Sequence, residues 1–477
     1  MWWLIIPILI MLFLIVVLIR TAIFRPAIEK EPIIEEVAVN RQKAIDDLAE
    51  MIRCKTVSYS EEELINKAEF QKFRDLLKRL YPNVHNACTL EYISKTGILY
   101  KLTGKSETSP SVFMAHYDVV PANEPAWEKP AFDGIIEDGI LWGRGTLDTK
   151  CTLCGVLESA ETLLEQGFVP KNDIYFAFSG DEEIVGESAP AIVNELERRG
   201  IKPALVIDEG GSVVEGLFPG IARPCALVGI GEKGRMDVEF SIEGKGGHAS
   251  TPPPHTPVGV LAKVVTDVEN HPFKCQLSRP VAEMFDTLGR HSSFLYRLIF
   301  ANLWCFLPLL NILCKKNGGE LNALMRTTCA FTMMEGSKVI NVLPPLAKVS
   351  ANLRLAGEDT MDRAMAYLKS VIKNDDIIVS KSYGMNASIT SETKGESWDK
   401  LKDAISQTWP DALVSPYLML ACSDSRHYCR ISNNVYRFSA IALTREERGM
   451  IHGNNERIPL DKIIKTVQFY IRLMRRC

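Results

Sequence analysis

The sequence predicts an α/β protein with an inserted α+β domain, and three observations lead to this prediction. Apolar strands alternate with amphipathic helices over residues 97–211, which is typical of a sheet covered by helices. Near residue 230 the order becomes β-α-β-β-α-β, the order of a ferredoxin-like unit. The chain has 477 residues, too many for one hydrophobic core, so two domains are expected.

The first domain begins with two predicted amphipathic helices, over 41–53 and about 62–80. In the first of them, Ala44, Leu48 and Ile52 share one helical face. The predicted strands cover 97–104, 111–120, 173–180, 204–211 and 434–443, and the predicted helices cover 149–168, 187–200, 398–408 and the stretch that begins at Pro459.

The inserted domain is predicted from strands with a period of two, such as RMDVEFSIEG at 235–244. The insertion is placed at residues 231–388, so that the first domain comprises 41–230 and 389–477. The predicted strands cover 235–244, 326–336, 347–357 and 376–384, and the predicted helices cover 257–271 and 360–374.

Residues 1–19 carry no charged side chain and are predicted to form a transmembrane anchor, followed by a tether over 20–40. A helix of this length spans about 28 Å, close to the thickness of the bilayer core. A cleaved signal peptide would have a basic start, a shorter apolar core and a small-x-small cleavage site, and none of these is clear here. The sequence therefore favours an uncleaved, single-pass anchor.

The side of the membrane on which the catalytic part lies is predicted from flanking charges. Arg20, Arg25 and Lys30 follow the span and no charged residue precedes it, which favours the cytoplasmic side by the positive-inside rule. An N-x-S glycosylation sequon at Asn386 favours the opposite side, so both sides stay open.

A second apolar stretch, residues 298–314, lies inside the insertion. It is marginal in length for a membrane span and contains Asn302, Pro308 and Asn311. Two interpretations stay open: a buried helical hairpin, or a surface that dips into a membrane or binds an acyl chain.

Composition argues against several classes of function. Hydrophobic residues are 46% and charged residues 24% of the chain, as in globular proteins, and a net charge of −4 argues against a nucleic-acid partner. The 12 cysteines are scattered rather than arranged as a disulfide framework. Cys151 and Cys154 form a C-x-x-C that would suit a redox pair or half a zinc site. Their place in a predicted helix, with no second C-x-x-C, favours buried structural thiols.

Carboxylates and imidazoles follow several predicted strands, at the edge where open α/β sheets build their sites. Singly, each has an ordinary explanation, such as a cap, a solvated loop or a structural histidine. So many at strand ends favour one shared site. The candidates are His116, Asp118, Asp148, Glu182, Glu183, Asp208 and, near the C-terminus, His452.

The motifs HYDVVP, W-x-x-x-x-F-D-G from Trp127, GRGTLD, SGDEE, GGHAS-x-PP and SDSRHY occur in this order. With them, from about residue 40 to the C-terminus, the chain resembles the co-catalytic zinc peptidases, which include aminoacylase, carboxypeptidase S and succinyl-diaminopimelate desuccinylase. The resemblance is closest to the branch of carboxypeptidase S and the N-fatty-acyl-amino-acid hydrolase/synthases. It implies a catalytic domain with a central mixed sheet and an inserted lid domain, through which the family often dimerises.

The resemblance also implies a ligand set for two zinc ions. Asp148 would bridge them, His116 and Asp208 would complete the ligands of one, and Glu183 and His452 those of the other. Mixed imidazole and carboxylate ligation is typical of catalytic zinc. A single zinc ion is the alternative, but it would leave an anionic cluster that repels itself.

Two further residues receive chemical roles from the same resemblance. Glu182 would be the general base, which takes a proton from the attacking water and passes it to the leaving nitrogen. Asp118 would orient the imidazole of His116 and raise its basicity.

Substrate contacts are implied in the lid and in the SDSRHY loop. His248 would donate to the developing oxyanion, and Arg354 with Asn341 would bind the substrate carboxylate. Ser425 and Arg426 lie in the loop that cradles the substrate.

The sequence departs from the family pattern at two places. Cys422 and Ser423 stand where relatives usually carry Gly-Thr, which leaves the contacts of this loop open. Thr149 follows Asp148 where many relatives carry a second Asp, and the intervening peptide is often cis.

The predicted function is hydrolysis of the amide bond in an N-acyl amino acid with a free carboxylate. The anchor and the segment 298–314 favour a fatty acyl group, and hydrolysis or synthesis in the cell stays open. A carboxypeptidase for dipeptides is the alternative among enzymes. A membrane-tethered binding protein without activity is the alternative of another class, although the predicted ligands and base are all present.

Overall fold

The computed structural model describes residues 2–27, 32–216, 218 and 220–477. The helices are α1 Trp2–Ile23, α2 Arg41–Ile52, α3 Lys67–Leu80, α4 Pro82–Ala87, α5 Lys150–Glu165, α6 Ser188–Arg198, α7 Pro257–Asn270, α8 Arg279–His291, α9 Phe294–Ala301, α10 Leu303–Asn317, α11 Gly319–Leu324, α12 Met361–Ile372, α13 Glu396–Thr408, α14 Arg445–Arg448 and α15 Leu460–Met474. The strands are β1 Cys88–Ile93, β2 Gly97–Leu102, β3 Ser106–His116, β4 Ile135–Glu137, β5 Ile140–Trp142, β6 Asn172–Ser179, β7 Leu205–Val214, β8 Cys225–Glu232, β9 Gly234–Glu243, β10 Gly247–His248, β11 Thr328–Glu335, β12 Val342–Leu343, β13 Leu346–Leu355, β14 Ile378–Met385, β15 Leu413–Met419, β16 Val435–Leu443 and β17 Arg457–Pro459.

The large domain is built on an eight-stranded mixed sheet in the order β1-β2-β6-β3-β7-β16-β8-β15. Residues of β3 alternate between its two faces: Phe113 packs into the core below α5 and α15, while Val112 and Met114 pack below α6. This is the period of two that a strand covered on both faces retains. The predicted α/β class with a mixed sheet is confirmed.

The insertion contains a four-stranded antiparallel sheet in the order β11-β13-β9-β14. Helices α7 and α12 cover one face of it, where Leu261 and Leu368 pack against Phe240 and Val349. Chain order and sheet order together are those of a ferredoxin-like unit, as predicted.

Helices α8–α11 lie within the predicted insertion but pack against the large domain. Val281, Phe285 and Leu288 of α8 share a core with Leu227 of β8 and Tyr417 of β15. Neither of these two strands was predicted from the sequence. β8 is buried along its whole length, so it shows no polar alternation from which a strand could be recognised.

The N-terminal helix α1 extends past the predicted end of the anchor, to Ile23. Its stretch Ile5–Ile23 is long and apolar enough to cross a membrane, a property that a signal sequence shares. The first residues of the predicted tether are therefore helical. Lys30, used above to predict orientation, lies outside the described residues.

The apolar segment 298–314 forms the second half of α9 and most of α10, and these two helices meet at an angle of 108°. Cys314 of α10 is buried and Leu303, Leu307 and Leu310 are half-buried on the core of α8 and β15. The opposite face of α10 is exposed. The segment is therefore a helical hairpin that is buried on one face and exposed on the other.

Candidate active site

Loops at one edge of the large sheet bring the predicted metal ligands together. His116 ends β3, and Glu182 and Glu183 begin a single 3-10 turn after β6. Asp148 comes shortly before α5, and His452 lies in the loop between α14 and β17. Because β3 and β6 are parallel neighbours, their carboxyl ends meet at the same edge of the sheet.

The carboxylate of Asp148 lies between two imidazoles. Its Oδ1 is 3.0 Å from Nε2 of His116, and its Oδ2 is 3.0 Å from Nε2 of His452. Oε2 of Glu183 lies 3.1 Å from the same nitrogen of His452. One oxygen of Asp148 thus faces each histidine, which is the arrangement expected of a carboxylate that bridges two metal positions.

The geometry does not agree with the sequence-based choice of Asp208 as a metal ligand. Oε1 of the next residue, Glu209, lies 3.4 Å from Nε2 of His116. The carboxylate of Asp208 instead accepts a hydrogen bond of 3.0 Å from the backbone N–H of Ser425. Both acids belong to β7, and successive side chains of a strand point to opposite faces. Glu209, rather than Asp208, is therefore the acid of β7 that faces His116.

Asp118 connects the first histidine to the loop that carries the predicted base. Its carbonyl oxygen accepts a hydrogen bond of 2.9 Å from Nδ1 of His116. Its carboxylate accepts hydrogen bonds of 3.2 Å from the backbone N–H groups of Glu182 and Glu183, and one of 2.7 Å from the hydroxyl of Ser58. These contacts agree with an orienting role.

The cluster of predicted metal ligands contains more carboxylates than imidazoles, and several of its groups have raised pKa values. Burial raises the pKa of Glu209 to about 8 and that of Glu182 well above its usual value. Hydrogen bonds to Asp148 and Glu183 raise the pKa of His452 to about 10. Buried carboxylates in this arrangement favour a nearby cation, and a divalent ion would keep the acids ionised and the histidines neutral.

The donor set fits a metal centre. The ligand atoms of His116, Asp148 and Glu183 lie within 4.8 Å of one another, as do those of His116, Glu182 and Glu209. Oε1 of Glu183 is buried and has no hydrogen-bond partner among the described residues. Imidazole nitrogens and carboxylate oxygens at this spacing are ligands that zinc accepts.

Glu456 holds the loop that carries Asp148, and sequence reasoning did not select it. The side chain is fully buried. Its Oε2 accepts a hydrogen bond of 2.6 Å from Nη1 of Arg144, and its Oε1 accepts bonds of 3.0 and 2.7 Å from the backbone N–H groups of Gly145 and Leu147. A signal for this role is hard to find in the sequence, because the partners are 309 to 312 residues apart.

Thr149 and Cys422, at which the sequence departs from the family pattern, have defined surroundings in the structure. The peptide between Asp148 and Thr149 is cis. The thiol of Cys422 lies 3.4 Å from Nη1 of Arg354. This contact brings the lid strand β13 against the SDSRHY loop.

The loop residues Ser425 and Arg426 are largely occupied by structural contacts. The hydroxyl of Ser425 is buried 2.7 Å from that of Ser423. The guanidinium of Arg426 lies 3.7 Å from Glu232 and donates to the backbone oxygen of Asn386. Both residues therefore shape the loop.

His248 lies on the small ribbon that β10 and β12 form, and Asn341 directly precedes β12. The backbone N–H of Ala249 donates to the carbonyl of Asn341 at 3.0 Å, and Nδ1 of His248 lies 2.7 Å from the hydroxyl of Ser250. Both predicted residues are exposed. Across the described parts of the chain, no hydrogen bond or ion pair joins either of them to the predicted metal ligands.

Fold and site together define a metal-dependent hydrolase: an α/β sheet with two imidazole–carboxylate sets and a neighbouring acid at the carboxyl ends of its strands. The particular family follows from sequence comparison. The chain belongs to peptidase family M20/M25/M40, whose sequence profile matches residues 112–476. The family predicted from the motifs is thereby confirmed.

Two relatives cover most of this chain. It is 36% identical over 437 residues to a probable carboxypeptidase S-like 2 of Dictyostelium discoideum, with 90% of this chain and 84% of that protein covered. It is 34% identical over 471 residues to the N-fatty-acyl-amino acid synthase/hydrolase PM20D1 of Xenopus tropicalis, with 96% and 92% covered.

Two solved structures share the fold at low sequence identity. The M20 family metallo-carboxypeptidase Sso-CP2 from Sulfolobus solfataricus has a TM-score of 0.66 at 16% identity, over 91% of this chain and 98% of that one. The YxeP protein of Bacillus subtilis, a dinuclear metal-binding peptidase, has a TM-score of 0.55 at 10% identity, over 91% and 98%.

Proposed function

We propose that this protein is a membrane-tethered zinc hydrolase that cleaves the amide bond between an acyl group and an amino acid with a free carboxylate. The observation that carries the proposal is the carboxylate of Asp148, whose two oxygens face His116 and His452 separately. The relatives named N-fatty-acyl-amino acid synthase/hydrolase support the substrate class, and a reaction that runs in either direction.

The proposed metal centre holds two zinc ions per chain. Asp148 would be shared by the two ions, His116 and Glu209 would be further ligands of one, and His452 and Glu183 would be further ligands of the other. The dinuclear relative of the same fold supports this count. Bound zinc would polarise the scissile carbonyl and make an attacking water more acidic.

Glu182 is the proposed general base. Its carboxylate lies within 4.8 Å of the ligand atoms of His116 and Glu209, and its backbone N–H is held by Asp118. It takes a proton from the attacking water and delivers it to the leaving nitrogen, so that an amine departs rather than an amide anion.

Recognition is assigned to the lid, the domain proposed at residues 231–388. The guanidinium of Arg354, beside the thiol of Cys422, pairs with the free carboxylate of the substrate, with Asn341 as its proposed partner. His248 stabilises negative charge on the carbonyl oxygen. Because His248 is exposed on the lid ribbon, closure of the lid or a second copy of the chain must bring it to the substrate.

A carboxypeptidase that acts on dipeptides is the second candidate. The relative named a probable carboxypeptidase S-like protein favours it. Both reactions use the same metal centre and the same free carboxylate, so they differ in the group that lies on the acyl side of the scissile bond.

Two statements about assembly belong to the proposal. Helix α1 spans the membrane once, with the catalytic part on the cytoplasmic side that Arg20 and Arg25 favour. The lid mediates a homodimer, for which the edge strand β11 offers the exposed side chains of Met333 and Met334.

A substrate panel tests the chemistry. N-dodecanoyl-leucine, N-acetyl-leucine and leucyl-leucine are offered to the zinc-loaded full chain, each beside its methyl ester. We expect the dodecanoyl acid to have the highest kcat/KM and each ester to be a much poorer substrate. Equal turnover of the dipeptide and the dodecanoyl acid would favour the second candidate, and turnover of none would refute both.

The matched variant for this panel is Glu182→Gln, which keeps the shape of the side chain. We expect kcat to fall by about 10² to 10⁴, with metal analysis still giving the wild-type zinc content. A variant that keeps wild-type turnover would contradict the assignment of the base.

A further inference from the structure

The C-terminal end of α1 is fastened to the loop between α9 and α10. Nη2 of Arg20 donates to the carbonyl of Ala301 at 3.0 Å, and Nε of Arg20 donates to Oδ1 of Asn302 at 3.2 Å. Nδ2 of Asn302 in turn donates to the carbonyl of Val17 and to the hydroxyl of Thr21, each at 3.2 Å. Val17 and Thr21 are the described positions of α1 that are buried. The helix therefore leaves the domain at a defined place and angle.

Helix α10 has an apolar outer face beside this contact. The exposed fractions of its outward side chains are 57% for Trp304, 52% for Leu309 and 62% for Ile312. Leu313 continues the same face. Contiguous exposed apolar side chains of this size are costly in water and typical of a surface that contacts lipid or protein.

The position of this face relative to α1 identifies its occupant. The ring of Phe13 on α1 packs edge-on against the ring of Trp304, with centroids 5.7 Å apart. Phe13 precedes Arg20 by seven residues, which is about 10 Å along a helix. If α1 crosses a bilayer with Arg20 at its surface, Trp304 lies below that surface, at the depth to which amphipathic helices insert, about 5–10 Å.

The charges around the face agree with a lipid surface. Residues 291–319 contain Arg297, Lys315 and Lys316 but no acidic residue. The two lysines are exposed at the end of α10, where long cationic side chains reach the headgroups while the preceding helix lies deeper.

From these observations we infer that α9 and α10 form a second membrane contact, with the outer face of α10 inserted in the leaflet from which α1 emerges. This inference rests on the proposed membrane span α1. It assigns the face to lipid rather than to a second protein chain, because the face is continuous with the span through Phe13 and Trp304.

The consequence concerns how substrate reaches the site. Helices α8–α10 pack on β15, and β15 is followed by the 3-10 helix Asp424–Arg430, which contains most of the SDSRHY motif. If α10 contacts the membrane, the distance between the SDSRHY residues and the bilayer surface is fixed. An N-acyl amino acid that is partitioned into the leaflet by its acyl chain would then meet the site without leaving the membrane surface.

The experiment uses the full chain in vesicles of phosphatidylcholine with a minor fraction of phosphatidylglycerol. A phospholipid with a diazirine on its acyl chain is photoactivated, and the labelled peptides are mapped by mass spectrometry. We expect label in α1 and in residues 303–313. Peptides that contain Leu64 or Ile136, which are exposed apolar residues elsewhere on the large domain, serve as matched controls and should stay unlabelled.

The variant Leu309→Glu with Ile312→Glu sharpens the test, since both side chains are exposed and the fold does not depend on them. We expect label in α10 to fall about tenfold, because apolar lipid excludes charged side chains, while label in α1 is unchanged. Label in α1 alone in the wild-type chain would overturn the inference and leave the face to another protein chain. Undiminished label in α10 of the variant would overturn it as well. Absence of label from both helices would overturn the span as well, and hydrolysis of N-acetyl-leucine by the same samples tests the chemistry separately.

Discussion

The proposed metal ligands of the large domain and the proposed substrate residues of the lid are held in opposite ways. In the large domain, the two carboxylate oxygens of Asp148 lie 3.0 Å from Nε2 of His116 and 3.0 Å from Nε2 of His452. In the lid, His248 and Asn341 are exposed at a two-stranded ribbon. The chemistry is thus assembled within a single domain, whereas recognition depends on how the lid is placed.

This difference has a physical reason. Buried carboxylates must be paired or must bind a cation, so their positions are held by many hydrogen bonds even before substrate arrives. Residues that contact a substrate only after closure are solvated before it, and no such network is needed for them. Changes in the large domain should therefore abolish activity or stability, and changes in the lid should mainly alter affinity.

The largest effect is expected from the choice between two adjacent acids. Glu209→Gln should abolish zinc retention and lower turnover by more than about a thousandfold, beyond the 10- to 100-fold typical of losing an outer partner of a ligand. Asp208→Asn, the matched control, keeps an oxygen for the N–H of Ser425 and should stay within that smaller range. Zinc content and kcat/KM are measured for both. The reverse order would restore Asp208 as the ligand.

A smaller effect, on stability, is expected at Glu456. Glu456→Ala leaves Arg144 buried and unpaired, and the loss of one partner of a buried ion pair costs about 3–5 kcal/mol. Because the same carboxylate holds the loop before Asp148, zinc affinity should fall as well. Thermal unfolding with and without a chelator measures both effects.

The control for this variant is Glu392→Ala, since Glu392 pairs with Arg279 on the surface. It should leave the unfolding transition close to that of the wild type. If Glu456→Ala were equally mild, Glu456 would not be what holds the loop.

The sequence predicted the parts of the molecule that depend on local pattern. Periodicity was sufficient for the ferredoxin-like insertion, and short motifs were sufficient to predict that His116, Asp148, Glu183 and His452 lie close together. In both cases the signal lies within a few residues of the chain.

The features that the sequence did not reveal depend on which face of a strand a side chain occupies, or on contacts between residues far apart in the chain. The choice between Asp208 and Glu209 depends on which face of β7 each occupies, and a motif that contains both acids does not specify this. Glu456 acts through backbone groups more than 300 residues away, and Asn302 acts on α1 across 281 residues. β8 is buried along its whole length, so its sequence lacked the alternation that marks a strand.

The smallest effect is expected in the lid, at Arg354. A lysine keeps the charge but loses the planar, two-pronged donor that matches a carboxylate. The loss of one charge-assisted hydrogen bond, about 1.5–3 kcal/mol, should raise KM for an N-acyl amino acid by roughly tenfold or more. Since the bond is made equally in the bound substrate and the transition state, kcat should change little.

The methyl ester of the same substrate provides the control for Arg354→Lys. The ester lacks the anionic group that the guanidinium is proposed to bind, so wild type and variant should have similar KM values for it. A rise in KM for acid and ester alike would indicate that the variant disturbs the contact with Cys422 rather than carboxylate recognition. A fall in kcat alone would show that this lid residue takes part in the chemistry, and the division between the two domains would then not hold.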